Sequence, residues 1–256
     1  MAEYHNREKR SKPTLIIGRQ PLIEAIEAGR PIEKILFQRN VSGESIGEIR
    51  KLAKQYAIPI QQVPPEKMHS LTKANHQGVI AFAGLVTYLE LQQVIDHVLA
   101  SGANPLMLML DGVTDVRNIG AIARTALCCG AQAIIIPDKG TGALNEEAMK
   151  SSAGALEKIH ICRVGSLLKA IDELHLNGIR VFTSAMQQEK MVYDIDYKDP
   201  CCVIMGNEET GVQAYLAKAA DEKFSIPMAG DFDSFNVSIA TGIILYEAMK
   251  QRLLAS

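Results

Sequence analysis

No apolar run in this chain approaches the ~20 residues needed to cross a bilayer. The opening MAEYHNREKRSKP is polar and has no apolar core, so no secretory signal is read there either. No cysteine pair has the C-x-x-C spacing of a zinc site; the five present are odd in number, and four of them sit as adjacent pairs, Cys128-Cys129 and Cys201-Cys202. These absences imply a cytoplasmic protein with no metal site, whose cysteines are reduced and act as small buried apolar side chains. Asn40-Val41-Ser42 and Asn236-Val237-Ser238 fit the glycosylation pattern, but without a secretory signal both are chance matches. A dinucleotide-binding loop is lacking too: Gly140-Thr141-Gly142 has no third glycine, Asn145 standing in its place.

What is present is an ordinary globular composition, 47% hydrophobic and 22% charged over 256 residues, enough for one large or two small domains. The net charge of −2 conceals an asymmetry. Residues 1–85 hold 13 Lys and Arg against 8 Asp and Glu, a net +5, whereas residues 86–256 hold 14 against 21, a net −7. A basic module that docks on a polyanion, joined to an acidic catalytic module, fits this division, as does an accident of solvated surfaces. The basic tail 1–13 is nearly free of apolar residues and reads as disordered. Residues 14–85 alternate LII, PLIEAIEAG, IEKILFQ, ESIGEIRKLAKQYA, IPIQQV, PPEKMHSL and GVIAFAG, a compact α/β unit. In its Asn75-His76-Gln77-Gly78 turn, a histidine hydrogen-bonded to backbone is the simplest reading, with RNA contact the alternative. A connecting segment, 86–104, contains an amphipathic helix over Tyr88–Ala100 that breaks at Ser101-Gly102-Ala103-Asn104-Pro105.

Residues 105–256 alternate apolar strands with helices over short connections: LMLMLD, AQAIIIP, KIHICRV, IRVFTSA, CCVIMG and EKFSIP, then a closing helix from about Phe235 to Leu254. This pattern predicts an α/β fold with a mostly parallel sheet covered on both faces. The closing helix is apolar around most of its circumference, which predicts burial.

Three segments place glycines and amide or carboxylate side chains where apolar runs end, and in α/β sheets ligands bind at the carboxyl ends of strands. The first, LDGVTDVRNIGAIARTA, holds Asn118 and Arg124; taken alone these read as an N-cap asparagine and a surface arginine. In the second, VIMGNEETG, Gly206 and Gly211 bracket Glu208 and Glu209, two acids at a helix N-terminus or a ligand loop. The third, IPMAGDFDSFNVSIATGIILYE, runs from Ile226 through a Gly230–Asp233 turn to Ser234-Phe235-Asn236. N-capping explains one of that serine and asparagine and leaves the other.

In order and spacing, these segments resemble the three signature motifs of the SpoU/TrmH family of RNA 2′-O-methyltransferases, in the SPOUT superfamily. The resemblance runs from Pro105 to the C-terminus, and 14–85 resembles the L30e-like RNA-binding domain of the ribosomal-RNA members. It implies a C-terminal trefoil knot, which no periodicity could indicate, and S-adenosylmethionine as cofactor. It assigns catalytic roles to Asn118, Arg124, Glu208, Ser234 and Asn236, and the cofactor pocket to Gly206, Ile226, Met228 and Phe235. The implied partners are structured RNA, chiefly large-subunit ribosomal RNA methylated on a guanosine, and a second copy of the chain in a homodimer. Transfer RNA is the rival substrate, and a silent RNA-binding protein of the same fold is the alternative outside enzymes. Two positions depart from the family pattern: Val116 where proline is usual after the aspartate, and Phe235 where leucine is usual.

Overall fold

The computed structural model describes residues 14–56, 58–186, 188–207, 209–230 and 234–255. The tail 1–13, Glu208 and most of the Gly230–Asp233 turn lie outside the described residues. The chain divides into two compact units that part between Gly84 and Leu85.

The first unit comprises β1 (Leu15–Ile17), α1 (Arg19–Glu27), β2 (Ile32–Gln38), α2 (Glu44–Gln55), β3 (Ile60–Val63), α3 (Pro65–Leu71) and β4 (Val79–Ala83). Its sheet runs β1-β4-β2-β3, with β4 antiparallel to both neighbours and β2 parallel to β3. Alternation along β2 sends Ile35 and Phe37 towards Leu22, Ile23 and Ile26 of α1 and Ile46 and Ile49 of α2. Leu36 faces Met68 of α3 on the other side. His76 is buried, and its Nδ1 accepts the Gly78 N–H at 3.0 Å, so the turn histidine is indeed satisfied by backbone. Burial, and secondarily the His69 ring beside it, lowers its pKa below the ordinary histidine value.

The second unit comprises β5 (Tyr88–Leu89), α4 (Leu91–Ala100), β6 (Leu106–Leu110), α5 (Val116–Cys128), β7 (Ala133–Pro137), α6 (Glu146–Ser152), β8 (His160–Val164), α7 (Leu167–Leu176), β9 (Arg180–Ser184), β10 (Cys201–Met205), α8 (Ala214–Ala219), β11 (Glu222–Phe224) and α9 (Val237–Ala255). Its seven strands run β11-β9-β10-β6-β7-β8-β5, every pair parallel. A parallel sheet with two covered faces needs strands apolar on both sides, and β6 meets that demand. Leu106, Leu108 and Leu110 join the core under α5, α6 and α9, while Met107 and Met109 join the core under α4, α7 and α8. The expected α/β layout, with helices on both faces, is what the chain adopts.

Three sequence expectations change. Tyr88 and Leu89 are not helical: they pair with Ile161 and Cys162 of β8, and the helix begins after Glu90, whose carboxylate accepts the Gln93 N–H. The guanidinium of buried Arg163 lies 3.3 Å from the Tyr88 ring centroid, a cation–π contact that favours the strand position. The closing helix is not buried all round. Val237, Thr241, Ile244, Leu245 and Ala248 face the core, while Ile239 and Tyr246 are 56% and 58% exposed. The cysteines are all free but not all buried: Cys162, Cys201 and Cys202 are, Cys129 is half-buried and Cys128 is exposed. Among the described residues, no helix is long and apolar enough to cross a membrane.

Burial pushes the Cys162 thiol up to about 12, burial together with the adjacent thiol raises Cys129, and Cys202 lies well above its usual value for the same reasons. Thiolate is the reactive form. Native protein at pH 8 is therefore expected to react with Ellman's reagent quickly at one thiol, Cys128. Mass mapping should find Cys162, Cys201 and Cys202 modified only after denaturation; rapid native modification of any of these three contradicts the packing.

Candidate functional site

Chain order explains where the site falls. From β6 the chain adds β7 and β8 on one side, then crosses to place β9 and β10 on the other, so the winding reverses between β6 and β10. Outside the carboxyl ends of two strands at such a switch point, the connecting loops diverge and leave a crevice. The first motif leaves β6 there and the second leaves β10.

Hydrogen bonds sew the two loops together. Asp111, 2% exposed, accepts the backbone N–H of Gln213 at 2.7 Å and its side-chain amide at 2.6 Å, so the buried carboxylate is satisfied. The Asp111 N–H donates to the Met205 carbonyl. Asn207 donates through Nδ2 to the Gly112 carbonyl at 2.8 Å, while its Oδ1 accepts the Glu209 N–H at 2.8 Å. Gly112 has φ 72, left-handed backbone in which its carbonyl turns towards that amide. A tight turn closes the second motif, with Asn207 and Gly211 exchanging backbone hydrogen bonds at 3.1 and 2.8 Å. It closes so tightly that a Cβ on Gly206 would lie 2.1 Å from the Gly211 carbonyl carbon.

In α5 the cap is not Asn118. Asp115 holds that place, accepting the Arg117 N–H at 2.8 Å, which leaves the Asn118 side chain available for tertiary contact. Its Oδ1 accepts from Asn236 Nδ2 at 3.2 Å. Asn236 does two things at once, since its Oδ1 caps α9 by accepting the Ser238 N–H at 2.9 Å. The capping reading therefore accounts for half of this side chain, and the other half ties the third motif to the first. Val113, Thr114, Asp115, Asn118, Asn207 and Val237, drawn from all three motifs, line one small pocket.

The remaining expected residues are less tightly gathered. Ile226 is half-buried against the core under α5 and α9. Met228 and Phe235 are 42% and 38% exposed, and Ser234 is exposed as well. Arg124, two turns into α5, is exposed and makes no ion pair with another described residue.

Several contributors carried no recognisable signal in the sequence. Sheet order sets β9 between β10 and β11, so the loop after β9 borders the same end. Ser225 holds that loop, its hydroxyl donating to the Ala185 carbonyl at 3.0 Å and accepting the Gln188 N–H at 2.7 Å. Gly142 seats the loop after β7 on the first motif: its N–H donates to the Val113 carbonyl, and a Cβ there would lie 2.3 Å from the Thr114 oxygen. Gly120 lets α5 press on α6, where a Cβ would meet Ser151 Oγ at 1.9 Å. Among the described residues, no group of three or more His, Cys, Asp or Glu could hold a metal ion.

Comparison with known proteins agrees with this arrangement. The model of the SpoU rRNA Methylase family matches residues 105–246, and that for RNA 2′-O ribose methyltransferase substrate binding matches residues 15–89. A Staphylococcus aureus protein, provisionally named a TrmH family tRNA/rRNA methyltransferase, is 34% identical over 239 residues, 93% of this chain and 96% of that one. The crystal structure of an AdoMet-bound rRNA methyltransferase from Sinorhizobium meliloti superposes with a TM-score of 0.57 at 25% identity, covering 94% of this chain and 88% of that one. A TrmH/SpoU tRNA modifying enzyme from A. aeolicus is 28% identical with a TM-score of 0.53, covering 64% of this chain and 85% of its own.

The close approach at Gly206 is testable. Gly206→Ala must push the Gly211 turn aside and is expected to cost about 1–3 kcal/mol, as overpacking does. Gly165→Ala, where nothing lies within 4 Å of the new methyl group, should change stability by less than about 0.5 kcal/mol. Urea unfolding of both variants checks this; equal effects would contradict the loop geometry.

Proposed function

The chain belongs to the SpoU rRNA methylase family, and from that membership we propose that it methylates the 2′-hydroxyl of a ribose in structured RNA, using S-adenosylmethionine. The observation that carries the proposal is the meeting of all three motifs at the β6–β10 switch point, through the Asn207 bond to Gly112 and the Asn236 bond to Asn118.

The residues present fit the cofactor. Gly206, whose missing Cβ lets the Gly211 turn close against it, shapes the loop of the second motif, and Ile226, Met228 and Phe235 offer partly exposed apolar side chains for adenine. Phe235 in place of leucine keeps that surface apolar. S-adenosylmethionine supplies a sulfonium methyl group that is open to in-line attack.

Alignment is the first task of the protein, since well-oriented reactants account for ~7–11 kcal/mol of such a barrier. Asn118 and Asn236 hold the loops in which the ribose must lie. Arg124 carries a guanidinium that stays charged above pH ~12. It serves to bind the target phosphate and stabilise the developing alkoxide, while the proton leaves to water, phosphate or a carboxylate. Glu208 orients that guanidinium, and Ser234 completes the polar lining. A silent RNA-binding protein has no chemical reason to keep all five of these residues.

Large-subunit ribosomal RNA, at a guanosine, is the substrate we assign. The first unit supports this, because the Sinorhizobium rRNA methyltransferase covers both units whereas the A. aeolicus tRNA modifying enzyme covers 64% of the chain. The basic first unit would dock on RNA phosphates. The trefoil crossing of the closing segment belongs to the same proposal, supported by Val237 lying beside Asn207 in one pocket.

Methylation of a ribosomal-RNA fragment with labelled cofactor tests the reading. Arg124→Ala should lower kcat at least a hundredfold while Kd for S-adenosylmethionine changes less than threefold. Arg124→Lys should not rescue, because it loses the planar fork. Parallel loss of cofactor binding and turnover in the alanine variant would refute the role given to Arg124.

A homodimer completes the proposal. Ile239 and Tyr246 on α9, with Ile243, Val192 and Thr125, form an open, largely apolar groove that a second copy would cover. Tyr246→Lys is expected to give a folded monomer with reduced activity. Ile244→Lys, at a side chain with no exposure in the single chain, should instead unfold the protein. Sedimentation and circular dichroism separate the two results; a wild-type monomer at micromolar concentration with full activity would rule the dimer out.

A further inference from the structure

The strongest feature outside the site lies at the opposite end of the sheet. Arg252, in the last turn of α9, donates through Nε to the Tyr197 carbonyl at 2.8 Å and through Nη1 to the Asn104 carbonyl at 2.6 Å. Its Nη2 reaches the Pro105 carbonyl at 2.8 Å, the Asp199 carbonyl at 2.9 Å and the Cys201 sulfur at 3.5 Å. Beside it Gln251 donates to the Ile195 carbonyl at 3.0 Å and accepts the Tyr197 N–H at 3.1 Å.

These acceptors are not scattered. Asn104 and Pro105 lead directly into β6, and Asp199 and Cys201 lead into β10, the two strands whose far ends carry the first and second motifs. The guanidinium itself rides on α9, whose opposite end, its start, carries the third. One side chain thus ties together the distal ends of all three motif-bearing elements. The strands are five residues long, about 17 Å, and α9 has 19 residues, a rod of about 28 Å.

We propose that Arg252 is a positioning residue for methyl transfer: by fixing α9 against the starts of β6 and β10, it sets the register in which Asn236 meets Asn118. This rests on the methyltransferase reading above. A helix slide of one residue is 1.5 Å, enough to part an amide pair that meets at 3.2 Å. Both strands are already locked to each other in register, Cys201 against Leu106 and Met205 against Leu110. The helix is the element left to slide, and apolar packing is non-directional and holds it poorly along its axis. A planar fork with five donors supplies the direction, and lysine cannot reproduce it.

The test uses the full chain with Arg252→Lys and Arg252→Ala, and Ile171→Val on α7 as a packing control remote from α9. If the alanine variant does not fold, the lysine variant, able to hold one or two of the carbonyls, keeps the measurement. Expected for Arg252→Lys is a tenfold or greater fall in kcat with RNA KM and cofactor Kd within twofold, and faster amide exchange over residues 237–241. Ile171→Val should lower Tm without either effect when assayed well below its Tm. Unchanged kcat and unchanged exchange at 237–241 in Arg252→Lys would overturn the proposal. So would an equal fall in kcat in the control, or full rescue by lysine, which would reduce Arg252 to a charge at a helix C-terminus. An inactive wild-type protein that binds no cofactor would instead refute the underlying function.

Discussion

The site depends first on the side-chain amide of Asn207 donating to the carbonyl of Gly112. A parallel sheet with two buried faces has its polar loops at its ends, and at a reversal of winding those loops part. The ladder between β6 and β10 ends with the Asp111 N–H on the Met205 carbonyl, and beyond it side chains bridge the two loops. Asn207 does this with its amide nitrogen while its oxygen accepts the Glu209 N–H, so both polar ends of the side chain are used. Behind it, buried Asp111 repeats the device with Gln213. Breaking the second bridge leaves the buried Asp111 carboxylate short of partners, which costs more than the bond itself contributes. The loops are therefore fixed before any ligand arrives, as preorganised catalysis requires.

The third motif is fixed by economy of a different kind. Asn236 caps α9 with its oxygen and reaches Asn118 with its nitrogen, so the helix start and the site share one side chain. Serine, threonine or aspartate could cap equally well, but none of them offers an amide donor to Asn118. The identity at 236 is set by the second contact rather than the first. The same argument frees Asn118, because Asp115 already caps α5 by accepting the Arg117 N–H.

Much of this was readable in the residues. Strands buried on both faces are continuous apolar runs, and LMLML, AIIIP and CCVIM could be read directly as β6, β7 and β10. Two-residue β5 could not, because its strand character is conferred by β8 and by Arg163 on the Tyr88 ring. Apolar content predicted α9 as wholly buried, yet burial depends on what lies opposite each face, and among the described residues Ile239 and Tyr246 remain more than half exposed. The roles of Asn207, Gly142 and Ser225 carry no sequence signal for a common reason: each acts through a backbone group distant in sequence, and such contacts leave no periodic trace. The parts of the site that could be read were those whose residue types are unusual for their local position.

Arg124 is the instructive remainder. Arg117 is exposed as Arg124 is, but its guanidinium lies 3.6 Å from Asp115 and 3.5 Å from Glu147 at the start of the same helix, whereas Arg124 makes no ion pair with another described residue. Such exposed pairs contribute little to stability, but they do occupy a guanidinium. In the role proposed for it, Arg124 gains from lacking such a pair within its own helix, which leaves its guanidinium to the proposed Glu208 carboxylate and to a phosphate. Its fork of donors can then be shared between the proposed orienting carboxylate and the ligand phosphate. In that proposal, solvent exposure of Arg124 suits an element that meets a polyanion, and the hydrogen bonding of Asn118, Asn207 and Asn236 suits the frame that presents it.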